Sequence, residues 1–479
     1  MLFSSAIFLF LFLPSFLLIY HLLPQQWRNA FLFAASLVFY AWGEGPVVLV
    51  LLLSASINFI AGRLVETGRR RGGLALSLAG SLSLLFYYKY AFFLAGSVGS
   101  LGAIMGLFKV DTTVFSAIAL PIGISFYTFQ GISYTLDIYW GRIRANRSFI
   151  EFGAYVAMFP HQIAGPIVRY ADIAPELAQR TVTLEKFGIG AERFIIGLAK
   201  KLLLANTFAA VADTVFNANP ATYPAETAWL GAVAYSLQIY FDFSGYSDMA
   251  IGLGKMVGFD FKENFNYPYS ARSIQDFWRR WHISLSTWFR DYVYIPLGGN
   301  RVGRVRTYVN LFIVFFVTGL WHGASWSFIV WGLYHGAFLA LERAGLSKWL
   351  GRVWPLFSHL YTLLIVLVGW VFFRADNLSS AIDYLQKMAG MGKVTQTILP
   401  LSYFTTVELG LTLLLGIIFS MPAYHFLHRL RARIEPAFVN SITPYVLSTV
   451  YIVGLFGLFI VSVMYMAANT YNPFIYFRF

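Results

Sequence analysis

The chain has 479 residues, of which 58% are hydrophobic and 12% charged, whereas about 25% of the residues in a typical soluble domain are charged. This composition argues against a soluble protein. The basic residues that give the net charge of +13 lie in short loops between apolar runs. They therefore indicate membrane topology and not nucleic-acid binding. With no cysteine in the chain, disulfides, thiolate catalysis and cysteine-ligated metal are excluded.

Apolar runs recur from one end of the chain to the other, and many approach the length of about 20 residues that a transmembrane helix needs. The first lacks a basic leading region and a small-residue cleavage site, so we interpret it as a retained helix and not as a signal peptide. We predict one all-α, polytopic membrane domain over residues 1–479 with about eleven transmembrane helices. The runs are 3–22, 31–42, 47–65, 74–98, 114–139, 194–216, 229–243, 309–320, 327–341, 360–373, 407–421 and 445–466.

Arginine clusters between the runs predict the orientation of the chain. Residues 69–71 and the arginines within 429–433 form two such clusters, and we place both in the cytoplasm. Both termini then lie on the opposite side of the membrane. The cluster within 142–147 follows a run broken by proline and glycine, so its side stays open.

Three stretches interrupt the apolar pattern. Residues 121–134 (PIGISFYTFQGISY) and 159–169 (FPHQIAGPIVR) carry proline and glycine at membrane depth, which predicts re-entrant or broken helices buried in protein. The alternative is a kinked helix or an interfacial loop. The third stretch, YFDFSGYSD, places Asp242 and Asp248 in an apolar setting. Such acids line a cavity or pair with an arginine or a backbone donor.

The polar stretch 258–310 contains the segment WRRWHISLSTWF, which predicts an amphipathic helix over residues 273–292 that Ser273 can cap. One interpretation is an interfacial anchor. The other is a wall of a channel, with His282 facing inward and arginines at a cytoplasmic mouth. At helical spacing, one stripe is Trp281, Leu285, Trp288 and Tyr292, and the opposite one is Arg279, His282, Ser286 and Arg290.

A second histidine follows the uncharged run 309–321, in LWHGASW. His322 therefore lies inside or at the end of a membrane helix, where a titratable residue indicates function, although a hydrogen-bonded core histidine is the alternative. Gly323 leaves room for a substrate. A neutral imidazole is a suitable general base, and tryptophan walls would exclude the water that hydrolyses a thioester. His335 could line the same cavity.

Metal binding is the competing chemistry. His425 and His428 have a suitable i, i+3 spacing, but three arginines follow them in HFLHRLRAR. These charges disfavour a cation. We therefore predict no metal site.

DFWRRWHISLSTWFRDYVYIPLGGN, at 276–300, and WHG, at 321–323, resemble the two-histidine signature of the membrane-bound O-acyltransferase family. The segments MLFSSAIFLFLFLP, FPHQIAGPIVRY, QIYFDFSGYSDMAIG and YNPFIYFRF are similar to the bacterial branch that acetylates exported polysaccharides, with alginate as the expected acceptor. Teichoic acid D-alanyl transfer is a more distant likeness.

The resemblance implies a ring of helices around a central channel, with His322 as the catalytic histidine and His282 as its partner. It also implies a cytoplasmic thioester donor, acetyl-coenzyme A or a carrier-bound acyl group, with no bound cofactor. Periplasmic acetyltransferase partners would complete transfer across a bacterial inner membrane. Acylation of cellulose or teichoic acid, and transport of the polymer without chemistry, are the alternatives. The expected channel or substrate-binding residues are Trp278, Arg279, Trp281, Ser286, Arg290, Trp321, Gly323, Trp326 and Asp242.

Overall fold

The computed structural model describes residues 1–105, 119–422, 443–468 and 471–475. Throughout these residues the regular structure is helical. His425, His428 and the arginine cluster within 429–433 lie outside them, as does part of the predicted run 114–139.

The described residues of the first part of the chain form nine helices. α1 follows a π-helical turn at Phe8–Phe12, and a second π-helical turn, Phe86–Tyr90, separates α4 from α5. The helices are α1 Leu13–Leu22, α2 Gln25–Glu44, α3 Val48–Glu66, α4 Arg70–Leu85, α5 Ala91–Ile104, α6 Ile124–Tyr139, α7 Phe149–Ala157, α8 Phe159–Gln162 and α9 Tyr170–Ala178.

Twelve further helices follow among the residues that the structure describes from Leu184 onward. The π-helical segment Lys200–Ala205 joins α10 to α11, and two others follow α14 and α16, at Arg290–Tyr294 and Glu342–Leu346. The helices are α10 Leu184–Ala199, α11 Asn206–Phe216, α12 Ala225–Met256, α13 Ile274–Arg280, α14 Ile283–Phe289, α15 Arg304–His322, α16 Trp326–Leu341, α17 Ser347–Leu350, α18 Pro355–Arg374, α19 Leu378–Met388, α20 Val407–Ser420 and α21 Thr443–Ala468.

Six helical stretches of the described chain are long and apolar enough to cross a membrane, which confirms a polytopic membrane protein. The number eleven stays a prediction. The first stretch combines α2 and α3, of 20 and 19 residues, each long enough for one crossing. The six are Gln25–Glu66, Arg70–Ser100, Leu184–Phe216, Arg304–His322, Pro355–Arg374 and Tyr445–Ala468.

The 32-residue helix α12 is buried along most of its length and packs against α10, α11 and α18. Glycine brings α10 close to it, since a Cβ at Gly197 would lie 2.5 Å from the carbonyl oxygen of Gly245. The same contact recurs one heptad away, where a Cβ at Gly252 would lie 2.5 Å from the Gly190 carbonyl oxygen. Small residues at such spacing let membrane helices approach until their backbones touch.

The predicted break at 159–169 is present and buried. α7 ends at Ala157, the four-residue helix α8 follows, and residues 163–168 are non-helical and buried. This agrees with broken-helix backbone enclosed by protein and not with an interfacial loop. In the other predicted stretch, 121–134, the break lies at the leading proline and glycine. The helix α6 begins after Gly123, which has φ 78°, and is regular and buried from there on.

The first and last residues of the described chain lie close together. The Met1 amine donates to the Phe39 carbonyl oxygen, and the Asn472 amide donates to Ser4. At the far end of α6, which is about 24 Å long, Arg70 bonds the Tyr139 carbonyl oxygen. That the termini and the first arginine cluster lie on opposite sides of the membrane stays a prediction. Which side is cytoplasmic stays a prediction.

Candidate active site

The segment predicted as one helix over 273–292 is two helices, α13 and α14, followed by a π-helical turn. Ser273 caps α13, as expected, by accepting from the Asp276 amide. The single-helix prediction was wrong because a loop replaces the helical hydrogen bonds at the junction. The Ile283 amide donates to the Asn264 carbonyl oxygen, and the Arg280 carbonyl accepts from the Asn266 amide.

His282 stands at this break in the left-handed region, with φ 45° and ψ 54°. Outside glycine such a backbone costs on the order of 1–3 kcal/mol and persists only where the surroundings enforce it. His282 has no exposed surface. The aromatic stripe that includes Trp281 and Trp288 is buried, and His282 does not share the predicted polar face with Arg279 and Arg290, which are exposed.

His322 is the last residue of α15 and is 6% exposed. Gly332 lets α16 pack closely against α15, since a Cβ there would lie 2.2 Å from the Phe315 carbonyl oxygen. The end of α15 is also capped by another element. Lys89 Nζ donates to the carbonyl oxygens of Trp321 and His322 at 2.6 and 3.1 Å, and Tyr90 Oη donates to that of Leu320 at 2.9 Å.

The two histidine rings lie 6.5 Å apart between centroids. A narrow chamber beside His322 has room for roughly one water molecule. Its walls are almost wholly apolar and aromatic, so bulk water is excluded. The chamber is lined by His322 with Ile239, Phe243, Trp281, Trp331, Trp370, Phe373 and Ile475.

Burial lowers the pKa of His282, which lies outside the six apolar stretches, to about 3. The imidazole is therefore neutral at physiological pH and keeps one nitrogen lone pair. Two buried imidazoles 6.5 Å apart between centroids, one of which borders an aromatic chamber, can take a proton from a hydroxyl and return it to a leaving group.

Other predicted site residues fall outside this chamber. Trp326 is 56% exposed and packs on Phe93. The space beside Gly323 is filled by the Phe328 ring, 2.2 Å from where a Cβ would lie. The expectation that Gly323 leaves room for a substrate was therefore wrong. Trp278 is buried behind the chamber wall, against Trp331.

The remaining predicted residues split between interior and surface. Trp321 is buried, with its ring centroid 6.0 Å from that of His282. Ser286 is partly exposed, and its amide donates to the His282 carbonyl oxygen. Arg290 pairs with Asp291 at 2.7 Å. His335 is fully buried against Trp278 and Trp331 and does not line the chamber.

Asp242 lies beside the chamber, in a buried ion pair. Its carboxylate is 2.8 Å from Lys201 Nζ and accepts from the Ile475 amide at 2.9 Å. Since Lys201 also bonds the Pro473 carbonyl oxygen, the pair anchors the chain's last described residues next to the chamber. Asp248 likewise pairs with Lys200 and Arg193. Pairing with an arginine or a backbone donor was one of the two alternatives for these acids, and Asp248 pairs with Arg193 while Asp242 has the Ile475 amide as backbone donor.

Sequence reasoning missed Lys89, Lys201, Asn264 and the tail residue Ile475. Two of them carried a signal: Lys89 in FYYKYAFF and Lys201 in LAKKLLLA are cations within apolar runs, where charge is rare and paired. Asn264 and Ile475 have no such mark, because their roles depend on contacts with residues distant in the chain.

Replacing Asp242 by asparagine is expected to destabilise the protein by about 3–5 kcal/mol, because Lys201 then keeps a buried charge without its partner. Thermal unfolding in detergent measures the change. Asp260→Asn is the control, since the Asp260 side chain is 50% exposed and surface ion pairs contribute about 0–1 kcal/mol. The double variant D242L/K201M should recover stability. An unchanged melting temperature in D242N would contradict the structural role.

Comparison with known proteins gives the family. The family model of the membrane-bound O-acyltransferases matches residues 141–374, which include both histidines, α12 and the loop that carries Asn264. Within the part of the chain that the structure describes, no group of three His, Cys, Asp or Glu side chains is placed to hold a metal ion.

Full-length relatives extend the match. The chain is 44% identical over the whole length of both proteins to a probable alginate O-acetylase of Pseudomonas putida, and 42% identical, again over both full lengths, to one of Azotobacter vinelandii. It is 36% identical to a peptidoglycan O-acetyltransferase of Helicobacter pylori, covering 82% of this chain and 81% of that protein. The chain belongs to the membrane-bound O-acyltransferase family.

Proposed function

We propose that the protein transfers an acetyl group from a thioester to hydroxyl groups of an exported polysaccharide, and that the polysaccharide is alginate. The observation that carries the proposal is the match, over the whole chain, to a probable alginate O-acetylase. The buried histidine pair, with His322 bordering an aromatic chamber, supports the chemistry.

His322 is proposed as the general base. It takes the proton of the attacking hydroxyl as the new ester C–O bond forms at the thioester carbonyl. The C–S bond then breaks, and the proton passes to the thiolate, so that a thiol leaves. His282, neutral and 6.5 Å away between centroids, assists by accepting or relaying that proton. The aromatic walls protect the thioester from hydrolysis.

The donor is proposed to approach through a cavity beside α14, lined in part by Arg169, Lys262, Ser284 and Thr287. Ser284 lines this cavity and its hydroxyl oxygen lies 3.5 Å from His282 Nδ1, which supports this path. Its rim carries paired charges, because Lys262 and Arg169 both bind Asp172. We assign the donor, acetyl-coenzyme A or a carrier-bound thioester, to the cytoplasm, and partner acetyltransferases to the periplasmic side of an inner membrane.

The test compares exopolysaccharide from the host with and without the gene, by mass analysis of O-acetyl content and by polymer yield. We expect acetyl content to fall to background while polymer yield is maintained. A polymer transporter would show the reverse, a lost yield with unchanged acetylation. Peptidoglycan from the same cells is assayed in parallel, and loss of acetyl groups there alone would overturn alginate as the acceptor.

A further inference from the structure

The loop between α12 and α13 carries a buried amide that faces His282. Asn264 is 1% exposed. Its Oδ1 lies 3.1 Å from His282 Nδ1 and accepts from the Ser284 hydroxyl and amide at 2.9 and 3.2 Å. On the other side, Asn264 Nδ2 donates to Ser247 Oγ on α12 at 3.1 Å.

These contacts fix the orientation of the amide. A backbone N–H can only donate, so the Ser284 amide requires the oxygen of Asn264 and not its nitrogen at this position. An amide oxygen can only accept. His282 Nδ1 therefore carries the hydrogen, and the lone pair of the neutral ring is on Nε2.

Nε2 lies on the edge of the ring away from Asn264 and has no hydrogen-bond partner among the described residues. The ring is held edge-to-face against Phe243, with centroids 4.6 Å apart. The ring centroids of His282 and His322 lie 6.5 Å apart.

We propose that Asn264 is a positioning residue for acyl transfer: it holds His282 in the Nδ1–H form and directs the Nε2 lone pair away from the loop, into the space between the two histidines. This inference rests on the proposed function. Asn264 touches neither donor nor acceptor. It acts through His282, as a second group orients the base in other histidine sites.

The test uses the full-length protein reconstituted in liposomes with labelled acetyl-coenzyme A and a carrier-bound acetyl thioester as alternative donors. Rates of acetyl transfer are measured against pH for wild type, N264A, N264D and the control N266A. Asn266 is exposed, in the same loop. His322 on α15, with Lys89 bonded to its carbonyl, is the titratable group that faces His282 and is unchanged in all variants.

We expect N264A to lower the rate roughly 10²-fold. The reason is that His282 Nδ1–H loses the amide oxygen that accepts its hydrogen bond, so the hydrogen is no longer held on Nδ1. N264D keeps an acceptor and should recover at least tenfold over N264A. Its carboxylate also favours the imidazolium, so the acidic limb of the pH–rate profile should move up by about one pH unit. N266A should match wild type.

Wild-type rates in N264A, or an N264D profile without a shifted acidic limb, overturn the proposal for Asn264 and leave the proposed function intact. Absence of transfer by wild type from both donors overturns the proposed function instead. Thermal unfolding of each variant identifies any loss of folded protein, and the profile shift in N264D is a readout that misfolding does not produce.

Discussion

Replacing His322 by alanine should reduce acetyl transfer by roughly 10²–10⁴-fold, the range expected when a general base is removed. His322 is buried at the end of α15 and borders the aromatic chamber, and its side chain is the imidazole nearest to the chamber. Loss of the base leaves a hydroxyl without a proton acceptor at the moment of attack. O-acetyl content of the polymer and the rate of thioester consumption both measure the effect.

The control for His322 is His359→Ala. His359 is partly exposed and bonds the Ala271 carbonyl oxygen at 3.1 Å. It does not line the chamber, so its loss should leave the rate unchanged. A second variant, His322→Gly, opens a cavity that added imidazole can occupy. Partial recovery with imidazole would identify the lost group as a base. Full activity of H322A in correctly folded protein would exclude His322 from catalysis.

Replacing His282 should lower transfer by roughly 10²-fold, a smaller loss than at His322, because His282 assists the base and does not replace it. Two substitutions separate chemistry from backbone strain. His282 has φ 45°, a conformation that glycine adopts freely and alanine does not. His282→Gly should therefore be more stable than His282→Ala, while both lose activity to the same extent.

Rates at matched protein levels and melting temperatures in detergent measure the two effects. Equal loss of rate in both variants, with different stabilities, supports a chemical role for the imidazole. If His282→Gly instead retains the wild-type rate, the side chain only maintains the fold at the break between α13 and α14.

The sequence by itself determined the helical membrane architecture, the position of His322 at the end of an apolar helix and which aromatic side chains form an apolar stripe. These follow from local properties: uncharged runs partition into a bilayer, and periodic apolar side chains share one face of a helix. The proline- and glycine-bearing stretch at 159–169 likewise contains the cause of its own break. Even the intramembrane cations Lys89 and Lys201 are visible as charges in apolar runs.

Only the tertiary structure decided the geometry around His282. The periodicity of residues 273–292 predicts one continuous helix, but the Ile283 amide bonds Asn264, which is 19 residues earlier in the chain. This non-local hydrogen bond outweighs helix propensity, which amounts to less than about 1 kcal/mol per residue. The ion pair of Asp242 with Lys201, its hydrogen bond from the Ile475 amide and the packing of Phe328 beside Gly323 have the same cause. Each depends on a partner that no local sequence pattern contains.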